Sequence, residues 1–263
     1  MKEKLWTREE TIVAFYVYCT IPFASSSKQN PTVIHYANLL GRTPSALNMK
    51  IGNLGRLDPE LQKQNITGLT HGANMEEIVW EEFSENREAL VYEAEKIIAG
   101  LMKKPIDEKY LEEAEHDYAS EDKRRLVKTR IHQDFFRAAV LAAYENSCAI
   151  TGIKLGDFLI ASHIKPWAAD KANRLNPHNG ICLNVLHDKA FDKGYITIDK
   201  HYRLIVSSKL QECYTNDFFE RAFQRYAGHR IFIPKKFAPS MEFLTYHQDV
   251  IFESSNFPKN LNK

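Results

Sequence analysis

The sequence predicts an α+β protein in two parts, a helical N-terminal part and a mixed C-terminal part. Three observations lead there. Apolar residues recur at helical spacing, with capping signals, from residue 5 to about residue 99. An acidic stretch with little core signal follows at 100–122, "DEKYLEEAEHDYASED" at its centre, and the charge then reverses at "KRRLVKTR". After Cys148 the apolar period shortens to that of strands. The 263 residues suit one large domain or two ordinary ones. We therefore expect a helical domain over 1–99, a linker over 100–130 and a second domain over 131–263.

The first helix begins in "LWTREETIVAFYVYCT". Thr7 is suited to cap it, with Glu10 as its capping-box partner. Ile12, Val13, Phe15, Tyr16 and Cys19 supply an apolar face. The run "IPFASSSKQNP" reads as a loop. Two short helices come next. Val33, Tyr36, Ala37 and Leu40 mark the first, and Ala46, Leu47, Ile51 and Leu54 the second. Gly41 closes one, and Thr43-Pro44 opens the other a few residues later. This is a helix–turn–helix pattern. Residues 58–75, rich in Pro, Gly and Asn, read as irregular, and one further helix is expected over "MEEIVWEEFSENREALVYEAEKIIAG".

In the second part, "RIHQDFFRAAVLAAY" is a helix with Phe135, Phe136, Ala139, Val140 and Ala143 on its apolar face. "DFLIASHI" and "NGICLNVL" are strand-like, and "HDKAFDKG" is a helix opening at His187-Asp188 and ended by Gly194. "YITIDKHYRLIVS" alternates around a turn at Asp199-Lys200-His201 and reads as a hairpin. The tail, "HRIFIPKKFAPSMEFLTYHQDVIF", reads as strand, Pro-rich turn and helix, with His229 and His247 structural.

Composition narrows the function. A hydrophobic share of 44% supports a real core. With 35 basic and 34 acidic residues the net charge is +1, so any nucleic-acid-binding surface must come from local segregation. The four cysteines, Cys19, Cys148, Cys182 and Cys213, form no C-x-x-C pair. That argues against a disulfide framework and a four-cysteine zinc site. The N-terminus shows no secretory h-region, and no apolar run reaches membrane-helix length. A cytoplasmic setting is the expectation.

The chemistry concentrates between Ala161 and Gly194. A histidine on a strand, an Asn-Gly turn, and acids in the first turn of a helix are the parts phosphodiester hydrolysis needs. Neutral imidazole accepts a proton from water near pH 7. Carboxylates hold a hard divalent cation. A helix N-terminus favours a nearby phosphate. The segments "ASHIKPW", "NPHNGICL" and "LHDKAFDKG" together resemble the HNH nuclease motif, the ββα-metal finger. From about Arg130 through "CAITG" to "FLTYHQDVIF", roughly half the chain resembles the restriction-type HNH endonucleases of bacteria. The region with "LWTREE" and "LLGRTPSALNMKIGNL" is more loosely similar to the N-terminal half of some of them.

The resemblance implies a metal-dependent endonuclease acting on DNA, of restriction or phage-defence type. His163 falls at the general base and Asn179 at the central Asn that braces the loop. Asp188, nine residues after that Asn, falls at a metal-ligand position. His187 is the neighbouring alternative, and Asp192, one turn on, is a third candidate ligand or a support of the finger. Mg2+ or Mn2+ is the expected metal, with Ni2+ or Zn2+ as alternatives. Ser162 departs from the pattern, because many members carry Asp or His there as a metal ligand. No structural zinc is expected, since the positions of the family's two cysteine pairs read Cys148…Thr151 and Asn184…His187. Lys165, Arg174, Arg130 and Arg137, with the nearby Lys123, Arg124, Arg125 and Lys128, are candidates for DNA phosphates. Arg42, Lys50 and Arg56 are candidates in the helix–turn–helix, among polar positions Thr43, Ser45, Asn48 and Asn53. Two breaks from one site per chain would favour a homodimer. A DNA-binding regulator with an impaired finger, or an HNH enzyme acting on RNA, are the alternatives.

Overall fold

The computed structural model describes residues 5–66, 74–104, 120–212 and 217–252, the side chains of 120–126 and 211 excepted. The fold is α+β, and it divides into two compact units, 1–143 and 144–263.

The first unit is helical. α1 (Arg8–Thr20) opens with the expected capping box: Thr7 Oγ1 accepts from the Glu10 amide, and the Glu10 carboxylate accepts from the Thr7 amide. The sequence suggested one apolar face, but every residue from Glu10 to Cys19 is buried. α1 is the central helix, apolar nearly all round, because its neighbours cover it on every side. α2 (Pro31–Leu39) and α3 (Pro44–Gly55) are capped by Asn30 and Thr43. Gly41 adopts φ +63 at the turn between them, which favours glycine. Val33 and Ala37 of α2, and Leu47, Ile51 and Leu54 of α3, are buried.

α4 (Pro59–Lys63) adds one short helix to a segment expected to be irregular, started by Asp58 as cap and Pro59 in the first turn. Residues 67–73 of that segment lie outside the described residues. The single helix expected after it is two, α5 (Asn74–Phe83) and α6 (Arg87–Met102). The break comes because Asn86 Oδ1 accepts from the Ala89 amide and starts the helix anew. Most of the expected linker, 105–119, also lies outside the described residues.

α7 (Ser120–Ala143) carries the expected apolar face, with Phe135, Phe136, Ala139, Val140 and Ala143 buried. The boundary expected at residue 131 falls inside this helix. Its face packs on α1 and α6, with the Phe135 ring 5.6 Å from that of Tyr16, so it groups with the helical unit.

The second unit is built on a ββα core. β1 (Leu159–His163) pairs antiparallel with β2 (Gly180–Asn184), with Leu159 opposite Asn184 and His163 opposite Gly180. α8 (Val185–Asp192) follows at once and packs on both strands. The hairpin β3 (Ile196–Ile198) and β4 (Leu204–Val206) forms as expected. The strand expected in "HRIFIP" is reduced to one bridge, Arg203 to Arg230. Pro234 and Pro239 lack the amides a longer ladder needs. This segment is instead tied down singly: Phe232 N–H donates to Ala149 O, and Tyr202 Oη to Pro239 O. α9 (Ser208–Gln211) and α10 (Asp217–Ala222) precede α11 (Met241–Tyr246), which runs into a π-helical turn at His247–Ile251. Among the described residues, no helix is long and apolar enough to cross a membrane.

Candidate active site

A cleft of about 490 Å³ opens beside β1 and α8. The end of β1 contributes Ser162 and His163, α8 contributes Asp188, Lys189, Asp192 and Lys193, and Trp167 and His247 close its sides. Strand, helix and tail thus bring together side chains far apart in the chain, Ser162 and His247 among them.

His163 ends β1 with a defined tautomer. Its Nε2 lies 3.1 Å from the carbonyl oxygen of Arg174, which can only accept. Nε2 therefore carries the proton, and Nδ1 carries the lone pair. Burial pushes the imidazole below its ordinary pKa, and the positive charge of Arg174 adds to this, while the bond to the carbonyl opposes it. The ring is neutral at pH 7.

Asn179 is fully buried, at 0% exposure, and acts as a staple. Its Oδ1 accepts from the Lys165 amide at 2.8 Å, and its Nδ2 donates to the Lys165 carbonyl at 3.0 Å and to that of Asn173 at 3.4 Å. Its own carbonyl accepts from the Ile164 amide. The loop from 164 to 179 is thus closed on itself directly behind His163. Asn179 touches backbone only in these bonds, which makes it a positioning residue.

α8 begins two residues earlier than the sequence suggested, because Asn184 Oδ1 takes the His187 amide as its cap at 2.9 Å. That start turns His187 and Asp188 to different sides, as a rotation of about 100° per residue requires. Asp188 faces the cleft. His187 does not. It is 1% exposed, its Nε2 donates to the Ala222 carbonyl at 2.8 Å, and its ring meets the edges of Phe223 and Tyr226. His187 is thus set apart from Asp188 and Asp192, which line the cleft. Its neighbourhood joins the four positions read as Cys148…Thr151 and Asn184…His187. The Asn184 amide donates to Cys148 Sγ, and Asn184 Nδ2 donates to Thr151 Oγ1.

Asp188 and Asp192 lie one turn apart on the same side of α8. Partial burial raises the pKa of both. For Asp188 the charge of Asp192 raises it further, against the Ser162 hydroxyl and Lys189, which lower it. Ser162 is 3% exposed, and its Oγ has no partner at normal hydrogen-bond distance. The cleft therefore holds two oxygen acids in an environment that disfavours their charge, beside a buried hydroxyl that faces Asp188. That donor set fits a hard divalent cation. Among the described residues, no three His, Cys, Asp or Glu side chains are close enough to enclose an ion. A cation here would keep positions open to water or phosphate.

The cations sort into two groups. Lys189 and Lys193 line the cleft, and the sequence reading passed over both. Their spacing, four apart and each one residue after Asp188 or Asp192, was the available signal. Most of the expected cations are engaged elsewhere. Lys165 pairs with Asp170 at 2.9 Å and lies over the Tyr246 ring. Arg174 stacks on Trp167, its Cζ 4.8 Å from the ring centre, and its Nε donates to the Trp167 carbonyl at 3.0 Å.

In the helical unit, Lys50 is 4% exposed and bonded to the buried Glu76 at 2.6 Å. Arg42 pairs with Glu10 at 2.6 Å and lies over the Trp6 ring. Arg56 pairs with Glu77 at 2.8 Å. All three are engaged in ion pairs within the helical unit; the exposed positions of α3 are Ser45, Met49 and Gly52. Arg130 and Arg137 lie seven residues apart on α7, and Arg137 is exposed. The side chains of Lys123, Arg124 and Arg125 lie outside the described residues, as does Cys213.

One family model matches this part of the chain. Residues 148–199 match the family model HNH_2, described as HNH endonuclease. The match spans Cys148, β1, the 164–179 loop, β2, α8 and β3, and so includes His163, Asn179, Asp188 and Asp192. No curated protein matches the chain.

Proposed function

We propose that the chain, which carries an HNH endonuclease segment at 148–199, cleaves phosphodiester bonds of duplex DNA with a divalent cation, in a restriction or phage-defence role inside the cell. One observation supports the reading most. His163 is held neutral, with its proton committed to a backbone carbonyl, in the same cleft as two carboxylates.

The residues divide the work. His163 Nδ1 takes a proton from the attacking water, and the Nε2–H bond to Arg174 O holds the ring as it becomes cationic. Asn179 fixes the loop that carries this carbonyl. Asp188 and Asp192 would hold the cation, with the Ser162 hydroxyl beside them. When bound, such an ion supplies Lewis-acid stabilisation of the charge developing on the phosphate and the leaving oxygen. Lys189 and Lys193 attract the DNA backbone to the cleft mouth. Mg2+ or Mn2+ suits oxygen donors best.

The restriction role and the DNA target follow from the resemblance of the second half of the chain to restriction-type enzymes. The helical unit is proposed to add backbone contacts through α7, where Arg130 and Arg137 share a face. The test is digestion of supercoiled plasmid, modified and unmodified, with Mg2+, Mn2+ or Ni2+ against a chelator control, with single-stranded RNA as competitor. Metal-dependent nicking or linearisation is expected. Binding without cleavage under every metal would favour a regulator, and preferential loss of the RNA would favour a ribonuclease.

A further inference from the structure

We propose that Trp167 and Arg174 form a clamp that sets the tautomer and orientation of His163, so that Arg174 acts as a positioning residue rather than as a phosphate contact. Four contacts among these three residues close a ring. The His163 Nε2–H donates to the Arg174 carbonyl at 3.1 Å. The Arg174 guanidinium lies 4.8 Å over the Trp167 ring and its Nε donates to the Trp167 carbonyl at 3.0 Å. The Trp167 ring meets the His163 ring edge-on, centroids 5.4 Å apart and planes at 89°.

The logic is mechanical. A general base must present its lone pair to water, and an imidazole can offer either nitrogen unless something fixes the proton. Here the fixing acceptor is a loop carbonyl, and a loop carbonyl is only as well placed as the loop. Asn179 anchors one side of it by bonding the Asn173 carbonyl. Arg174 anchors the other side with its own side chain, which folds back on Trp167. A planar guanidinium can stack on the ring and donate to the carbonyl together, which an ammonium cannot do. Trp167 in turn supplies the apolar wall beside the imidazole.

The charges facing His163 are Arg174 from the loop and Asp188, Lys189, Asp192 and Lys193 from α8, with the neutral His247 from the tail. The lysines and aspartates alternate in sign. Burial of the ring therefore leads the bias against its charge, and the loop arginine adds to it.

The clamp rests on His163 being the base, but its test does not depend on cleavage. Full-length protein labelled with 15N-histidine is titrated by NMR, with H163A assigning the resonance. Wild type should show one neutral tautomer, with the proton on Nε2, and a pKa below that of free histidine. R174K keeps the charge but loses the fork; it and W167A should show averaged tautomers, whereas W167F should recover much of the wild-type signal. In cleavage assays R174K should lose roughly 10- to 100-fold in kcat with little change in KM. A folded R174K with the wild-type tautomer overturns the clamp. So does a raised KM at unchanged kcat, which would return Arg174 to the phosphate. Should W167A not fold, R174K and W167F decide the matter. If H163A cleaves normally, the nuclease reading fails while the tautomer data still judge the clamp.

Discussion

At the scale of single residues, the cleft works by denying charge to groups that would carry it in water. His163 is the clearest case. A depressed pKa keeps the base neutral below pH 6.5, so the acidic limb of the kcat/KM profile is expected below that value. A limb centred above pH 6.5 would contradict the burial argument. The acids run the other way. Their raised pKa values mean that folding disfavours ionised Asp188 and Asp192, so stability is lost as pH rises through those values. Replacing both by Asn should therefore leave the metal-free protein as stable as wild type or more so, while abolishing cleavage. Mn2+ should raise the melting temperature of wild type, by about 2.7 kcal/mol of linkage at a hundredfold excess over Kd, and leave D188N/D192N unmoved. An equal metal-induced shift in both would place the cation elsewhere.

At the scale of elements, the same residue types take different jobs according to where a helix starts. Asn184 caps α8 two residues ahead of the start read from the sequence, and that offset sends His187 into the core and Asp188 into the cleft. The sequence showed both groups, but not the cap that separates them. His247 joins the π-helical turn to α8 and β3: its Nε2 donates to the Phe191 carbonyl, and the Thr197 hydroxyl donates to its Nδ1. Its ring stacks on Phe191 at 3.6 Å. Burial lowers its pKa to about 4. Unfolded histidine binds a proton near pH 6.5, so this site should cost the protein stability as pH falls from about 6.5 to about 4, at up to ~1.4 kcal/mol per pH unit. Chemical denaturation across that range measures the slope, which H247F should flatten. On α8 itself, K189Q and K193Q should each reduce the slope of log affinity for duplex DNA against log salt by about 1. Unchanged slopes would remove these lysines from the DNA path.

At the scale of the whole molecule, most of the architecture was legible, because caps and apolar spacing are local signals. Thr7 with Glu10 and Thr43-Pro44 each mark a helix start that the structure bears out, whereas the start at Asn30-Pro31 fell in a stretch read as loop. The β1–β2–α8 order was readable from the change of period after Cys148. What escaped was non-local. Nothing near Lys50 announces that Glu76, from another helix, will bury its charge. Nor does Arg174 show that it folds back on Trp167. Near-neutral total charge thus conceals both cations spent on holding the fold and cations placed at the cleft. The affiliation of α7 with the helical unit was hidden too, since its apolar face could serve either neighbour. The proposed cleavage nonetheless turns on one histidine. The measurement that tests it most directly compares wild type and H163A on supercoiled plasmid with Mn2+, alongside duplex binding and a melting curve. The expected result is loss of cleavage by about 10²- to 10⁴-fold, with folding and DNA affinity preserved. Cleavage by a folded H163A at the wild-type rate would contradict it.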